Sequence, residues 1–334
     1  MDAAKQGREL VADYELPEVP CGVPPRINTC YPTIRERHAA WVYQFVPPLH
    51  PGTLQRGIAQ MDAMYDSLVF PDGVPERVCN HACLTTMIID CDDLAQLKTA
   101  LFDQIAEGQA SDPHSLAFAD VWSTFRKNAP TEALYRRIRS AWRDWLDAVA
   151  TENRLRRGGN VPDVETVLHL RQTSVGLRPY FIAVEYVLDA DLSDITQDPD
   201  ALRAVEAGIT HIELVNDLYS YRKEYFHDDS INTVAALRRF HGFSLQDAID
   251  RVYGRLHELN RELEALTCTL SERYARHPDG TRARQCFDAY RSLVAGNVQW
   301  HLETPRYNGR GYVWDGRRSR RITSDSILAP VDPL

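Results

Sequence analysis

The stretch Asn216-Asp217-Leu218-Tyr219-Ser220-Tyr221-Arg222-Lys223-Glu224 lies within a long segment whose apolar residues follow helical spacing. At about 3.6 residues per turn, Asn216, Ser220 and Glu224 follow one another at i, i+4 and i+8, which places an amide oxygen, a hydroxyl and a carboxylate in one column. Hard oxygen donors suit Mg²⁺, which keeps several waters and is commonly completed by substrate phosphates. The stretch therefore predicts a metal site on a helix, and the alternative is an ordinary solvated helix face.

The surroundings of this column favour the metal site. Lys223 lies beside Glu224 and can reach an anion, and the run 211–215 is apolar enough to be buried. The stretch resembles the second metal motif, an Asn/Ser/Glu triad, of microbial class I terpene cyclases. That resemblance implies that Asn216, Ser220 and Glu224 bind Mg²⁺ and that Lys223 contacts a diphosphate.

The composition is that of a globular protein with a sizeable core. Of the 334 residues, 44% are hydrophobic and 25% are charged, and the net charge of −9 argues against a nucleic-acid surface. The seven cysteines are scattered and odd in number, and the start lacks an apolar signal core. No run approaches the roughly 18 to 20 apolar residues of a membrane span. We expect a cytoplasmic protein without membrane insertion.

Apolar residues recur at three- and four-residue spacing through most of the chain, and we see no convincing alternating strand. Brief breakers between many helices predict one compact all-α domain at 35–307. A proline-rich arm at 1–34 precedes it and is either a lid over the site or a frayed terminus. A basic tail at 308–334 follows and is either loosely packed or ordered over the site. The predicted helices cover 35–45, 51–66, 75–107, 112–128, 131–156, 164–190, 199–226, 230–241, 244–277 and 280–303.

An aspartate-rich cluster follows the segment Phe70-Pro71-Asp72-Gly73-Val74-Pro75-Glu76-Arg77, which is similar to the segment preceding the first metal motif of the same family. The resemblance aligns Asp92 and Asp93 with the paired metal-binding aspartates, with Asp92 as the principal ligand. Gln96 departs from the pattern, since the family usually has an acid there, and Asp90 is an alternative ligand.

The same aspartates admit two other interpretations. Asp90-Cys91-Asp92-Asp93 matches the acid motif of class II cyclases, which protonate an alkene and do not need the Asn/Ser/Glu triad. Acidic residues that merely end a helix are the other alternative, and they would oppose the helix dipole unless a cation lies beside them. The complete triad favours class I.

Two further segments resemble diphosphate-binding motifs of the family. In Arg171-Gln172-Thr173-Ser174-Val175-Gly176, the resemblance makes Arg171 a diphosphate sensor, Ser174 a linker and the Val175 carbonyl an effector, with Gly176 breaking the helix. Arginine suits this work because its planar guanidinium grips phosphate oxygens in a fork. Near the end, Arg306-Tyr307 is similar to the terminal Arg-Tyr pair that closes on the diphosphate.

Together these motifs imply a single-domain class I terpenoid synthase helical bundle that surrounds an apolar cavity. A protein of this kind binds three Mg²⁺ ions and a linear isoprenoid diphosphate, ionises it and cyclises the allylic cation. Aromatic faces stabilise such a cation, and small side chains enlarge the cavity. The cavity candidates are Cys83, Met87, Tyr180, Phe181, Tyr219 and Trp300.

The sequence leaves two candidate substrates and two rival functions to be considered. We favour farnesyl diphosphate, whereas the small residues leading to Asp92 favour geranylgeranyl diphosphate and a diterpene product. An isoprenyl diphosphate synthase would need a second aspartate-rich motif in place of the triad. A non-catalytic helical scaffold would leave the coexistence of Arg171, the triad and Arg306-Tyr307 unexplained. The resemblance also allows a homodimer.

Overall fold

The computed structural model describes residues 13–45, 61–94, 113–157, 163–226, 231–309 and 311–323. Thirteen helices and two short strands lie within those ranges. In chain order they are β1 (Tyr14–Leu16), α1 (Tyr31–Phe45), α2 (Asp62–Val69), α3 (Pro75–Leu94), α4 (Pro113–Asn128), α5 (Glu132–Arg157), α6 (Val164–Ser174), α7 (Arg178–Val187), α8 (Ser193–Thr196), α9 (Pro199–Phe226), α10 (Thr233–His241), α11 (Leu245–Arg273), α12 (Gly280–Glu303), α13 (Pro305–Asn308) and β2 (Arg320–Ile322). The prediction of an all-α fold is confirmed.

Several helices begin at side chains that cap them. The Asp163 carboxylate accepts from the Thr166 N–H at the start of α6, the Asn232 amide accepts from the Val234 N–H at the start of α10, and the Ser244 hydroxyl accepts from the Asp247 N–H at the start of α11. Each cap satisfies a backbone donor that the first helical turn leaves without a partner. Local sequence thus fixes where these helices begin.

The centre of the bundle is α12, whose residues 292–302 are all buried. It packs against α2 at Gly296, where an added Cβ would lie 2.3 Å from the Leu68 carbonyl oxygen, so only glycine permits this approach. The long helices α9 and α11 pack against each other and against α12. One continuous apolar core includes residues from α1 to α12.

Some predicted helices differ from those in the structure. The segment predicted as one helix over 164–190 is two helices, α6 and α7, because the chain turns at Gly176 with φ 76°. The helix predicted to end at His277 ends at Arg273. The predicted segments 51–66 and 75–107 extend beyond the described ranges. Within those ranges, the two segments overlap α2 and α3.

The two strands were not predicted. β1 and β2 pair antiparallel, with Tyr14 opposite Ile322 and Leu16 opposite Arg320. Three-residue strands are too short to produce a recognisable alternation of apolar and polar residues. The pairing joins the N-terminal arm to the tail, so within 311–323 the chain folds back over the bundle. None of the helices in the described ranges is both long and apolar enough to cross a membrane.

Candidate active site

Asn216 on α9 joins residues from three of the sequence motifs by hydrogen bonds. Its Oδ1 accepts from Arg171 Nη2 at 2.9 Å, and its Nδ2 donates to the Tyr307 hydroxyl at 2.9 Å. The Tyr307 hydroxyl in turn accepts from Arg306 Nε at 3.3 Å. We call Arg171, Asn216, Tyr307 and Arg306 the polar row. The structure therefore brings together residues that are up to 136 positions apart in the sequence (Arg171 to Tyr307).

The Arg171 guanidinium is buried and forms a second contact, a 2.6 Å salt bridge to Asp217 Oδ1. Burial lowers the pKa of Arg171, but the nearby carboxylates of Asp217 and Glu152 outweigh it, with smaller contributions from Glu224 and Glu213, and raise that pKa well above its ordinary value. The other oxygen of Asp217 accepts from the Thr233 N–H at 2.7 Å. Sequence reasoning missed Asp217, although an acid inside an apolar helical run was a usable signal.

Ser220 and Glu224 continue the column that begins at Asn216. Ser220 is buried, and its hydroxyl has no hydrogen-bond partner among the described residues. Glu224 Oε2 accepts from Asn232 Nδ2 at 2.7 Å, and that amide also donates to the Asp217 carbonyl at 2.9 Å. Lys223 lies half-buried beside Glu224. Asn232 thus orients the Glu224 carboxylate. Sequence reasoning missed this residue.

The donor set of this column suits a divalent metal. It offers an amide oxygen on Asn216, a hydroxyl on Ser220 and a carboxylate on Glu224, which are the oxygen ligands that Mg²⁺ prefers. A buried hydroxyl without a partner normally costs free energy, so the Ser220 oxygen is explained by a ligand that completes it. Within the described ranges, no three His, Cys, Asp or Glu side chains form a group that could hold a metal ion.

The aspartate-rich cluster occupies the last turn of α3, which the structure describes as helix up to Leu94. Position 92 follows His81 by 11 residues, about three turns, so both positions lie on one helical face. The side chains of Asp90, Asp92 and Asp93 lie outside the described residues, as does all of Gln96. Asp92 and Asp93 as metal ligands therefore stay predictions.

The helix break after Arg171 has a defined geometry. α6 ends at Ser174, Val175 keeps helical dihedrals, and Gly176 turns the chain with φ 76°. Trp145 Nε1 donates to the Ser174 carbonyl at 2.9 Å and lies 3.0 Å from where a Cβ on Gly176 would be. Among the described residues, no backbone N–H donates to the Val175 carbonyl. The break thus leaves that carbonyl available for another group.

An aromatic row leads from the helix bundle to the polar row. Tyr180 lies 5.6 Å from Tyr65, Tyr65 lies 5.1 Å from Trp300, and Trp300 lies 5.9 Å from Tyr307, measured between ring centroids. All four rings are buried. Sequence reasoning named Tyr180 and Trp300 but missed Tyr65, because nothing in its local sequence distinguishes it from a core tyrosine.

Phe181 and Cys83 are two further cavity candidates, and both are buried in the core. Phe181 packs against Gly208 and Tyr290 and lines a cleft of about 280 Å³ that no motif residue borders. Cys83 is buried one turn after Cys79, whose thiol donates to a carbonyl of α1. The Phe181 ring therefore packs against residues outside the aromatic row, because adjacent positions on a helix face different neighbours, and cavity roles for Phe181 and Cys83 stay predictions.

Tyr219 lies close to the polar row. The Tyr219 ring lies 5.6 Å from His301, and His301 stacks on Tyr307 at 5.1 Å with an interplanar angle of 4°. Burial raises the pKa of Tyr307, so its hydroxyl stays protonated and can donate to an anion.

Met87, on α3, is fully buried and flexible, which suits it to irregular packing.

Glu213, one turn before Asp217, is a fully buried acid whose two carboxyl oxygens have no hydrogen-bond partner among the described residues. Burial raises its pKa well above the ordinary 4.5, and repulsion from Asp217 and Glu152 adds to this, while Arg171 offsets part of it. Folding therefore favours the neutral form of this carboxyl group.

Replacing Glu213 by Gln is expected to stabilise the protein, and more so at higher pH. Because the pKa is raised on folding, the folded state binds more protons than the unfolded state above about pH 4.5, so stability falls as pH rises. In urea unfolding curves, the free energy of unfolding of Glu213→Gln should be about 1 to 3 kcal/mol higher than that of the wild type at pH 8. The difference should be smaller at pH 5. Glu272→Gln, at an exposed position, is the control. Equal pH slopes for wild type and Glu213→Gln would contradict a raised pKa of Glu213.

Comparisons with known proteins find relatives of this chain. Residues 74–262, more than half of the chain, match the model of Terpene synthase family 2, C-terminal metal binding. The (E)-2-epi-beta-caryophyllene synthase of Selaginella moellendorffii is 25% identical over 92% of this chain and 89% of that protein. The viridiflorene synthase of Cyclocybe aegerita is 34% identical, over 49% of this chain and 44% of that protein.

A solved structure shares the fold. The crystal structure of linalool/nerolidol synthase from Streptomyces clavuligerus in complex with 2-fluorogeranyl diphosphate aligns with a TM-score of 0.74 and 20% identity. The alignment covers 83% of this chain and 100% of that one. At this identity the likeness concerns the architecture, an all-α bundle.

Proposed function

Because the chain belongs to Terpene synthase family 2, we propose that it ionises a linear isoprenoid diphosphate and cyclises the resulting allylic cation with release of diphosphate. The observation that carries the proposal is the junction of the polar row and the aromatic row at Tyr307. One row offers hydrogen-bond donors and positive charge, and the other offers apolar, aromatic surface. A molecule with a diphosphate head and a hydrocarbon tail fits both.

The residues of the polar row would stabilise the leaving diphosphate. Arg171 and Arg306 carry positive charge, and the Tyr307 hydroxyl can donate a hydrogen bond, so each stabilises negative charge as the carbon–oxygen bond breaks. Arg171 Nε has no partner among the described residues and is free to donate. We assign Lys223 to the same task, since it lies beside Glu224 near the end of α9.

Asn216, Ser220 and Glu224 would hold Mg²⁺, together with Asp92 and Asp93, and we propose three ions with bound diphosphate. When bound, the metal supplies Lewis-acid stabilisation of the diphosphate. In the structure described here, Asn216 Oδ1 accepts from Arg171. The Arg171 guanidinium must therefore turn from that oxygen toward the diphosphate, while its bond to Asp217 keeps it in place.

The apolar part of the site would guide the cation. The rings of Tyr65, Tyr180 and Trp300 present π faces that attract positive charge, and the Val175 carbonyl adds a dipole at the helix break. Burial of these rings excludes water, which would otherwise trap the cation before ring closure. The final step is loss of a proton or capture of one water.

We favour farnesyl diphosphate as the substrate and keep geranylgeranyl diphosphate as the second candidate. Several similar proteins are named sesquiterpene synthases, and a sesquiterpene contains the 15 carbons of farnesyl diphosphate. The bulky row of Tyr65, Tyr180 and Trp300 supports the shorter chain. The smaller or more flexible side chains at 82–89 on α3 are the feature that supports the longer one. A cytoplasmic location and a homodimer also stay proposals, resting on the cysteine pattern and the resemblance.

Product analysis tests the proposal. Purified protein with Mg²⁺ is incubated separately with geranyl, farnesyl, geranylgeranyl and geranylfarnesyl diphosphate, and hexane extracts are examined by gas chromatography and mass spectrometry. We expect a cyclic C15 hydrocarbon or alcohol, formed only with the metal present. A cyclic C20 product would replace the favoured substrate by the second. Release of no diphosphate from any substrate would sink the proposal, and a longer linear diphosphate formed when isopentenyl diphosphate is added would identify an isoprenyl diphosphate synthase.

A further inference from the structure

The small side chains of α3 are packed against other parts of the protein. Residues 82–87 are each at most 3% exposed, and they include Thr85. The hydroxyl groups of Thr85 and Tyr180 share a hydrogen bond of 2.5 Å, which joins α3 to α7. The small residue at position 85 thus leaves room for the large Tyr180 side chain rather than for open space.

Tyr180 reaches α3 because the chain turns just before α7. Gly176 turns the chain with φ 76°, and α7 then begins with Pro179 in its first turn, where a missing N–H costs no helical hydrogen bond. Tyr180 directly follows this proline. The helix break that leaves the Val175 carbonyl available therefore also directs Tyr180 toward α3.

Several buried side chains hold the Tyr180 ring in place. The ring stacks on Phe70 at 6.0 Å with an interplanar angle of 12°, and it lies 4.5 Å from the His81 ring and 5.8 Å from the Trp142 ring, measured between centroids. His81 is itself fixed, because its Nδ1 lies 2.5 Å from Asp66 Oδ1 and both side chains are fully buried. A ring packed on so many sides cannot move without disturbing its neighbours.

Tyr180 meets α3 at a defined distance from the predicted metal ligand Asp92. Thr85 and His81 precede position 92 by 7 and 11 residues, so the three positions lie on one helical face. At a rise of 1.5 Å per residue, position 85 lies about 10 Å from position 92 along the helix. Both contacts of Tyr180 with α3 therefore lie below the metal end of that face.

This distance separates the two candidate substrates. An extended carbon chain advances by about 1.2 Å per bond, so the twelve in-line carbons of a farnesyl chain span about 13 Å and the sixteen of a geranylgeranyl chain span about 18 Å. With its diphosphate at the metal end, a farnesyl chain must fold back above Tyr180, which ring closure requires. A geranylgeranyl chain has about 5 Å more to accommodate.

We propose that the Tyr180 ring closes the tail end of the substrate site and makes the site selective for farnesyl over geranylgeranyl diphosphate. The inference rests on the proposed function and names its substrate. Tyr180 is the end of the aromatic row that is remote from Tyr307, since Tyr65 and Trp300 lie between them. The small residue Thr85 accommodates this ring, so it does not lengthen the site.

Substitution of Tyr180 tests this role through the ratio of kcat/KM for geranylgeranyl diphosphate to kcat/KM for farnesyl diphosphate. The ratio should rise about tenfold in Tyr180→Leu and about 100-fold in Tyr180→Ala. Tyr180→Phe keeps the ring and should keep the wild-type ratio. Tyr186→Leu is the matched control, because Tyr186 is buried on the same helix but its ring packs against Phe125. Circular dichroism shows which variants are folded.

Binding of unreactive substrate analogues tests the wild type without any substitution. In S-thiolo analogues, sulfur replaces the oxygen between the allylic carbon and the diphosphate. In calorimetric titrations with Mg²⁺, the farnesyl analogue should bind at least about tenfold more tightly than the geranylgeranyl analogue. Equal affinities, tighter binding of the longer analogue, or no binding of either would overturn the proposal.

The kinetic outcomes separate a specific role of Tyr180 from a general loosening of the core. An unchanged kcat/KM ratio in folded Tyr180→Leu or Tyr180→Ala would overturn the proposal. A rise in Tyr180→Phe or Tyr186→Leu as large as in Tyr180→Leu would overturn it as well. A preference for the farnesyl analogue that Tyr180→Leu removes, without product from any prenyl diphosphate, would support the role of Tyr180 and reject the proposed reaction instead.

Discussion

Asn216→Ala is expected to lower kcat/KM by about 10³-fold or more while the protein stays folded. Asn216 supplies the first oxygen of the donor column, and its amide also bonds Arg171 and Tyr307. Alanine removes the oxygen and both hydrogen bonds at once. Because Asn216 is only half-buried, the loss of packing is small, and the effect should fall on the reaction. Steady-state kinetics with farnesyl diphosphate over a range of Mg²⁺ concentrations measures it.

A matched control shows that the loss is specific to this site. Asn260 on α11 is also half-buried, and Asn260→Ala should leave turnover unchanged. Asn216→Asp keeps an oxygen donor and should retain more activity than Asn216→Ala, with a shifted Mg²⁺ dependence. Full turnover in Asn216→Ala would contradict the proposed role of Asn216 in metal binding.

Much of the fold could be predicted from helical periodicity, and the predictions that failed have identifiable physical causes. The apolar spacing of α9, α11 and α12 predicted these helices closely, because each buries one or more faces over many turns. The pairing of β1 with β2 could not be predicted, since Leu16 and Arg320 lie 304 positions apart in the sequence and local patterns do not show which distant segments pair. Periodicity also ran across Gly176, although that glycine was correctly expected to break the helix.

The candidate site could likewise be predicted only in part. The motif residues Arg171, Asn216 and Tyr307 could be named from their order in the chain, and the structure places them in hydrogen-bond contact. Asp217 and Asn232 escaped notice because they act through other residues rather than on a ligand, and such roles depend on three-dimensional contacts. Whether Asp92 and Asp93 bind metal stays a prediction.

Arg171→Met is expected to destabilise the protein by about 3 to 5 kcal/mol and to abolish turnover. The substitution leaves Asp217 as a fully buried carboxylate that has lost its 2.6 Å salt bridge. An uncompensated buried charge is expensive, whereas replacing both partners of a buried pair by neutral groups is often nearly neutral. Stability and activity are therefore affected by the same residue for different reasons, and a second substitution can separate them.

Arg171→Met combined with Asp217→Asn should recover most of the lost stability but none of the activity. Asparagine can still accept from the Thr233 N–H through its side-chain oxygen, so the contact between α9 and α10 survives. The diphosphate, however, still lacks the guanidinium that would stabilise it on leaving. Urea unfolding of the wild type, both single variants and the double variant gives the coupling free energy, and turnover is measured in parallel. Activity restored together with stability would mean that Arg171 acts only as the partner of Asp217 and does not touch the diphosphate.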